Sequence, residues 1–529
     1  DGNEVVASSK NSRHALEAKK IKMNTVYGLF QLNNPNLQPF DKKPSGKNVL
    51  WYSANQFRFN GLDLTDYFSN RNFDAENFYC LNPVITYHNW ADSNDEQQSF
   101  LRNPFNALSK YTSNAHIGNV RVHHGAVKLY QYKGEKEITY DLDELNLYMQ
   151  DFVVDSFTIH TDTNVFFAQE TELSFKHFER RANDTSMVIS LDAVKSFPHN
   201  DELVLEGLEL HNRKPETSLK RVEVISETAH LIGFNYHDFL LNNRVRCDKI
   251  EFVNSELTIG SDERNTDKSQ FFKRDFPQAL TKDYSSIRAD SLLFKNATVK
   301  LRHRDKETKE VKTEKISGWE IQCRYFNIHR NLDRLNFLYS INTKVFLRDY
   351  ERELDDGLNS ISLKEGVFEP HSKRIVLRDC RMTPKYEKML YGRTYGKQID
   401  RIELKNNEAI VNGFDFEKWL YTGVYHARDC YIKKTDVSVF RDKTLDEERG
   451  LYRQMPQEAL RNLPFEIKID EIHLDEWHVT YEEQIGTDRE PGFIEFNNLE
   501  ATIEGISNAR SDTGSSEMVN IVVNTGLME

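Results

Sequence analysis

Residues able to do acid–base, metal or nucleophilic chemistry are present in this chain, but their surroundings point away from an active site. His123, His124, His473 and His478 could in principle ligate a metal. Each lies in a run where polar and apolar residues alternate, as on a strand with one wet face, so these histidines are expected to face water. The carboxylate pairs Asp470-Glu471, Asp475-Glu476 and Glu482-Glu483 could supply a general acid and base. They fall largely between regularly spaced apolar residues, which again describes a solvated outer face. Trp419 and Trp477 could stack on a sugar, yet as members of repeated apolar positions they read as core or groove lining. Cys80, Cys247, Cys323, Cys380 and Cys430 are far apart, without a CxxC or a Cys/His spacing suited to zinc, and are expected to be small buried hydrophobes. Phosphate-loop, nucleophile-elbow and zincin signatures are absent. No catalytic residue, metal or cofactor is assigned, and the chain reads as a non-enzyme.

The bulk numbers narrow the partners. A formal charge of −13, from 70 basic and 83 acidic residues scattered along 529 positions, leaves no concentrated basic face for nucleic acid. No run approaches the 18 or so apolar residues needed to span a bilayer. The numbering opens at Asp1 without a signal peptide, so any export signal or membrane anchor is expected outside it. The 33 Phe and 23 Tyr, with recurrent Val, Ile and Thr, favour strands.

Self-similarity organises these strands. NGLDLTDYF (60–68), IGFNYHDFL (232–240) and NGFDFEKWL (412–420) share one pattern, with glycines at 61, 233 and 413. A new β-like run begins twelve residues past each, at Phe73, Val245 and Tyr425. Pro104, Pro277 and Pro456 follow at a nearly constant distance, each before Ala and Leu, which predicts one brief helix per unit at those prolines. Beyond them the apolar positions keep one spacing. They are Ala115, Ile117, Val120, Val122, Val127 and Leu129 in the first copy, with Gly125 in the remaining place. The second copy has Ile287, Ala289, Leu292, Phe294, Ala297, Val299 and Leu301, and the third Ile467, Ile469, Ile472, Leu474, Trp477, Val479 and Tyr481. Steps of two mean strand, and steps of three at two fixed points predict two β-bulges per strand. Sheets bent at the same places in every unit should curl into a trough.

The expected fold is all-β: an elongated, twisted open sheet of about three long repeats, each with one short helix. The units span 47–212, 213–390 and an incomplete 391–529, with 1–46 as the tail of a preceding or divergent unit. Helices are too scarce to cover the apolar face, and leaving it wet at roughly 25 cal/mol per Å² would exceed the net stability of a typical domain. A second sheet, barrel closure or an apolar ligand must occupy it. The repeated positions above are therefore candidates for a lipid groove.

The C-terminal segment LPFEIKIDEIHLDEWHVTYEEQIGTDREPGFIEFNNLEATIEGISNA (463–509), with its Pro491-Gly492 turn, resembles the AsmA-like envelope proteins of bacteria, in particular the long forms of the Bacteroidetes. These are grouped with TamB and the bridge-like lipid-transfer proteins, which share a repeating β-groove. The resemblance implies a periplasmic rod, anchored to the inner membrane by a segment outside this chain. Its groove would take phospholipid acyl chains in lipid transport or outer-membrane homeostasis. It implies no catalytic residues. Two alternatives remain: a scaffold subunit of a larger envelope complex that docks other envelope proteins, and a carbohydrate-binding β-solenoid, which would need Trp and carboxylates clustered on one surface.

Overall fold

A computed structural model describes residues 2–8, 14–40, 48–90, 112–133, 136–155, 166–182, 187–212, 223–260, 281, 284–304, 310–329, 337–354, 356–422, 424–447, 460, 466–486, 489–508 and 520–524. Alternating apolar and polar residues produce strands throughout. The first are β1 (Gly2–Ser8), β2 (His14–Asn24), β3 (Leu29–Asn33), β4 (Asn36–Pro39), β5 (Val49–Ser53), β6 (Gln56–Asn60), β7 (Asn72–Leu81) and β8 (Val84–Trp90). A block of long strands follows: β9 (Asn114–Lys133), β10 (Lys136–Val154), β11 (Glu170–Ala182), β12 (Met187–Phe197), β13 (Glu202–Asn212), β14 (Glu223–Ile232) and β15 (Arg244–Gly260). The next block repeats it as β16 (Ser286–Arg304), β17 (Val311–His329), β18 (Ser340–Glu353), β19 (Asn359–Glu369), β20 (Arg374–Pro384), β21 (Asp400–Asn412) and β22 (Tyr425–Asp442). The last strands are β23 (Ile467–Gln484), β24 (Gly492–Ser507) and β25 (Asn520–Asn524).

All of them join one 25-stranded sheet. Neighbours pair antiparallel except at three joins, where β7 and β8 pair with β9, β15 with β16, and β22 with β23 in parallel. Each parallel join pairs residues 42 positions apart, as in Asn254 with Asn296. One join falls in each expected unit, at the equivalent place, so the repeat seen in the sequence is a repeat of sheet topology.

Both predicted bulges are present, and both extend beyond single strands. The main one is a fold line across the sheet. Residues in the left-handed region lie on it at Glu4, Asn34, Asn82, His124, Glu144, His177, Gly207, Asn254, Asn296, Gly318, Asp349, Asp379, Lys434, Glu476 and Asn498. The intervening strands set Asp192, Glu227, Lys364 and Asn407 against them. A left-handed residue inserts one position into the period of two, which is why the apolar spacing jumps from Phe294 to Ala297 and from Leu474 to Trp477. The ladder shows register shifts at those same residues. Toward the sheet's amino end the line splits strands outright, with β3/β4 parted at Asn34-Pro35 and β7/β8 at Asn82-Pro83, yet bonds continue across it (Asn34 N to Asn55 O, 2.9 Å; Asn82 N to His123 O, 2.9 Å).

The second line crosses Gly118 and Asp151, then Asp248, Asp290 and Tyr325, then Arg428, Asp470 and Gly505, each skipped by the ladders on either side. It explains the repeated glycines. Gly61, Gly233 and Gly413 have positive φ, and a Cβ on them would strike Glu76, Asp248 and Arg428 respectively.

After each of these glycines the chain turns into a short helix: α1 (Leu64–Asn70), α2 (Tyr236–Asn242) and, beyond α3 (Lys388–Tyr395), α4 (Phe416–Thr422). Their N-caps are side chains of one kind. Asp63 accepts from the Asp66 N–H (2.8 Å), Asn235 from Asp238 (2.8 Å) and Asp415 from Lys418 (2.9 Å). The strands that follow begin at Asn72, Arg244 and Tyr425, within a residue of the expected starts. The helices expected at Pro104, Pro277 and Pro456 lie outside the described residues.

Glu476 sits left-handed on the fold line with φ 54. Glu476→Gly is expected to leave stability unchanged or raise it by up to about 1 kcal/mol, and Glu476→Val to lower it by about 1–2 kcal/mol. Thermal melts of the two variants check this, and coincident melts would place Glu476 in ordinary strand geometry.

Candidate binding groove

Cross-strand partners share a face, so the ladders can be followed residue to residue across the sheet. Starting from Ile21, one row passes Leu32, Phe57, Cys80, Val122, Leu147, Leu173, Ser196, Leu203, Leu231, Ile250, Leu292 and Cys323 and ends at Thr343. A second row begins at Phe175 and passes Val194, Leu205, Ala229, Phe252, Phe294, Ile321, Val345, Phe368, Ile375, Val411, Cys430 and Ile472 to Ile503. Only Ser196 and Thr343, both in the first row, are polar. The rows overlap between β11 and β18, so one apolar lane extends from β2 to β24. At about 4.8 Å per strand it is on the order of 90 Å long.

The lane passes through the residues singled out by spacing. Val122, Leu292, Phe294 and Ile472 are members of the rows. Ala115, Ile117, Val120, Ala289 and Ala297 are buried on the same face, the two last with no exposed surface. Val127, Leu129, Ile287, Val299, Ile467, Ile469, Leu474, Val479 and Tyr481 are half-buried. At Gly125, the place without a side chain, a Cβ would lie 3.1 Å from Leu145 and from Pro83. Trp477 donates its indole N–H to the Ile432 carbonyl (3.0 Å), fastening the third parallel join. Leu301 pairs with Ile259 and Glu314 through its backbone, and its side chain lies outside the described ones.

Helices cover part of this face, more than their scarcity predicts. Phe234, Tyr236 and Phe239 of the α2 segment pack with Leu231, Cys247, Ile250, Ala289 and Leu292, while Phe414 and Phe416 pack on Ala427, Val411 and Ile469. These roofs sit beside the second fold line only. Among the described residues every strand belongs to the single sheet, and no second layer lies over the lane.

The opposite face is charged and ion-paired. Glu251 takes Lys249 and Lys295, Glu256 takes Lys300 and Lys315, and Glu320 takes Arg348 (2.6 Å). Hydrogen bonds from Lys249 and Lys295 hold the Glu251 carboxyl below its ordinary value. Half-buried pairs at the rim of solvent such as these contribute on the order of 1 kcal/mol each, so their main effect is a wet outer surface.

The remaining chemical candidates are dispersed and are not gathered into one site. His473 meets Glu471 (3.1 Å) and stacks on Tyr431, and His478 meets Glu495 (2.9 Å). The His123 and His124 rings are 6.5 Å apart. Asp475 and Glu476 each face a lysine, Lys433 at 3.9 Å and Lys434 at 3.8 Å. Asp470 is exposed. Glu482 is paired with Lys388 (2.6 Å), and Glu483 with Lys443 (2.7 Å) while accepting from the Tyr481 hydroxyl. Trp419 lies on α4, 6.4 Å from the Tyr425 ring. Among the described residues no three His, Cys, Asp or Glu come together to hold a metal, and no helix is long and apolar enough to cross a membrane.

The five cysteines are free, and all but the half-buried Cys380 are buried. Burial pushes the Cys247 thiol up to about 12 and Cys430 up to about 11 from 9.0.

No protein-family profile and no curated protein matches the chain. Among solved structures, the crystal structure of the sex pheromone staph-cAM373 precursor aligns with 59% of this chain and 78% of that one, at 10% identity and a TM-score of 0.14, a likeness too slight to carry an argument.

Two outcomes follow from this geometry. Leu292→Ala, at a buried site under α2, is expected to cost about 2–5 kcal/mol, whereas Val479→Ala in the open lane should cost about 1 kcal/mol or less. Denaturation of both variants checks this, and equal large losses would mean that the lane is roofed at Val479 as well. The raised thiol values fix a sign: the folded state favours the protonated thiol, so that contribution is complete below about pH 9 and drains as pH climbs through the folded values. The melting temperature should fall between pH 9 and 12, less steeply in Cys247→Ala, and an unchanged slope in that variant would contradict the assignment.

Proposed function

We propose that the trough is a binding surface for phospholipid acyl chains and that the protein is a non-enzymatic lipid-bridging component of a bacterial envelope. It would work in the periplasm, held at the inner membrane by a segment outside this chain. The observation that carries the reading is the apolar lane, continuous over β2 to β24 and, among the described residues, without a second sheet over it. Its length is about three times the roughly 30 Å thickness of a bilayer's hydrocarbon core, which suits a path along which lipids lie in succession better than a pocket for one ligand. Each buried methylene contributes about 0.8 kcal/mol, so a chain of common length lying in the lane would contribute on the order of 10 kcal/mol before ordering costs. That would compensate for the lack of a second sheet among the described residues.

A scaffold role has one specific observation in its favour. Among the described residues the β24–β25 ladder covers only Glu500–Glu504, and no described strand lies against the first half of β24 on the side away from β23. Phe493 and Ile494 there are 67% and 52% exposed. Such an edge can accept a strand from another protein.

Mass spectrometry of the intact protein released from gentle purification separates the two. The lipid reading expects several phospholipids per chain, lost when Phe294 and Phe368 are both changed to Asp. Lipid-free protein carrying a stoichiometric protein partner would overturn it in favour of the scaffold.

A further inference from the structure

A trench of about 290 Å³ crosses β9 to β12 on the charged face of the sheet, and described residues line it. One wall is Arg121, Tyr148, Glu172 and Phe197. Each is next in sequence to a member of the first apolar row and so points to the other face. The facing wall is His123, Asn146, Ser174 and Lys195, on the far side of the same row members. Three strand spacings separate β9 from β12, so the trench is about 14 Å long.

The polar groups along it are uncommitted where those around it are not. The Arg121 guanidinium lies over two rings, Tyr79 (5.9 Å to the centroid) and Tyr148 (5.6 Å). Among the described residues it has no hydrogen bond or ion pair, and neither do the side chains of Glu172, Ser174 and His123. Nearby cations of the same face are paired: Lys128 with Asp141 (2.9 Å), Lys176 with Glu144 (2.7 Å) and Lys195 with Glu206 (2.6 Å). The cross-strand places of Tyr79, Arg121 and Tyr148 are filled by Glu251, Leu293 and Gln322 in the second block and by Tyr431, His473 and Thr502 in the third. An arginine between two tyrosines is therefore not something the repeated sheet requires.

A planar guanidinium with a free N–H edge suits a carboxylate, which it can meet through two parallel bonds. Glu172 stands two strands farther on, about 10 Å away, where it repels a second anion and accepts from hydroxyls. Ser174 can exchange hydrogen bonds with the same hydroxyls, and the Tyr148 and Phe197 rings offer apolar surface for the C–H faces of a sugar. The backbone below is paired at these residues in the β9–β10, β10–β11 and β11–β12 ladders, so an extended peptide finds no edge to join. We propose that this trench binds a short acidic glycan, with a sugar carboxylate on Arg121 and a neutral sugar toward Glu172 and Phe197. The site lies on the face away from the apolar lane and does not rest on the lipid reading.

The test applies the fluorescently labelled chain to an array of galacturonate and glucuronate oligomers beside neutral glucose and galactose oligomers, with acetate and inorganic phosphate as soluble competitors. Retention is expected on uronate oligomers and not on neutral ones. Arg121→Gln should weaken it about tenfold or more, because a bidentate charged contact is lost, and Glu172→Gln several-fold. Arg348→Gln, on the same face outside the trench, should leave it unchanged. Thermal melts of Arg121→Gln and the parent should coincide, since Arg121 has no ion pair to lose, which separates loss of binding from loss of fold. Equal retention on neutral oligomers, or retention indifferent to Arg121→Gln, would refute the site. So would failure to bind every uronate oligomer. Displacement by acetate or phosphate as readily as by free trigalacturonate would reduce it to a bare anion site and sink the glycan proposal.

Discussion

Everything in this molecule depends on where its strands accept a left-handed residue. A ladder of hydrogen bonds transmits a bulge to its neighbour, because a strand that gains a position must be matched across the pair or the register shears. The bulges therefore align into fold lines. Outside glycine such a residue costs about 1–2 kcal/mol, and the sequence lowers that cost by placing Asn or Asp at Asn34, Asn82, Asn254, Asn296, Asp349, Asp379 and Asn498. At Glu144, Lys434 and Glu476 it does not. Those positions persist because the ladders on both sides determine them.

The same bulges keep the apolar lane continuous. Val122 is two residues from its fold-line neighbour His124, Leu173 four from His177 and Cys323 five from Gly318, so the first row drifts away from the line and ends at Thr343. The register shifts at Leu142–Leu147 and Phe294–Val299 bring the second row into the place it leaves. A sheet without bulges would carry its apolar stripe off the end of the strands after one block. With them, each block resets the stripe and the trough can be extended by repetition.

Much of this was legible because the period of two is a strong signal and its interruptions recur. Steps of three at Ile469–Ile472 and Leu474–Trp477 locate both fold lines to within a residue. The all-β open sheet and the burial of the cysteines followed from composition and alternation. The cross-strand rows were not legible, since the register of Phe175 on Val194 or Phe368 on Ile375 is set by pairing between strands whose residues alternate alike at every offset of two. The helices after Gly61, Gly233 and Gly413 were missed although Asp63, Asn235 and Asp415 are ordinary N-cap residues. Seven-residue helices lack the length over which a 3.6 period can be recognised. Those helices and the residues leading into them supply Phe234 and Phe416, so the partial roof was missed with them.

The account is tested most directly by an experimental density map of the purified protein at side-chain resolution, inspected along Phe252, Phe294 and Phe368. It predicts elongated, non-peptide density lying over those side chains and the fold line bending every strand beneath it. Polypeptide interlocked with the same residues, leaving no channel the width of an acyl chain, would contradict it.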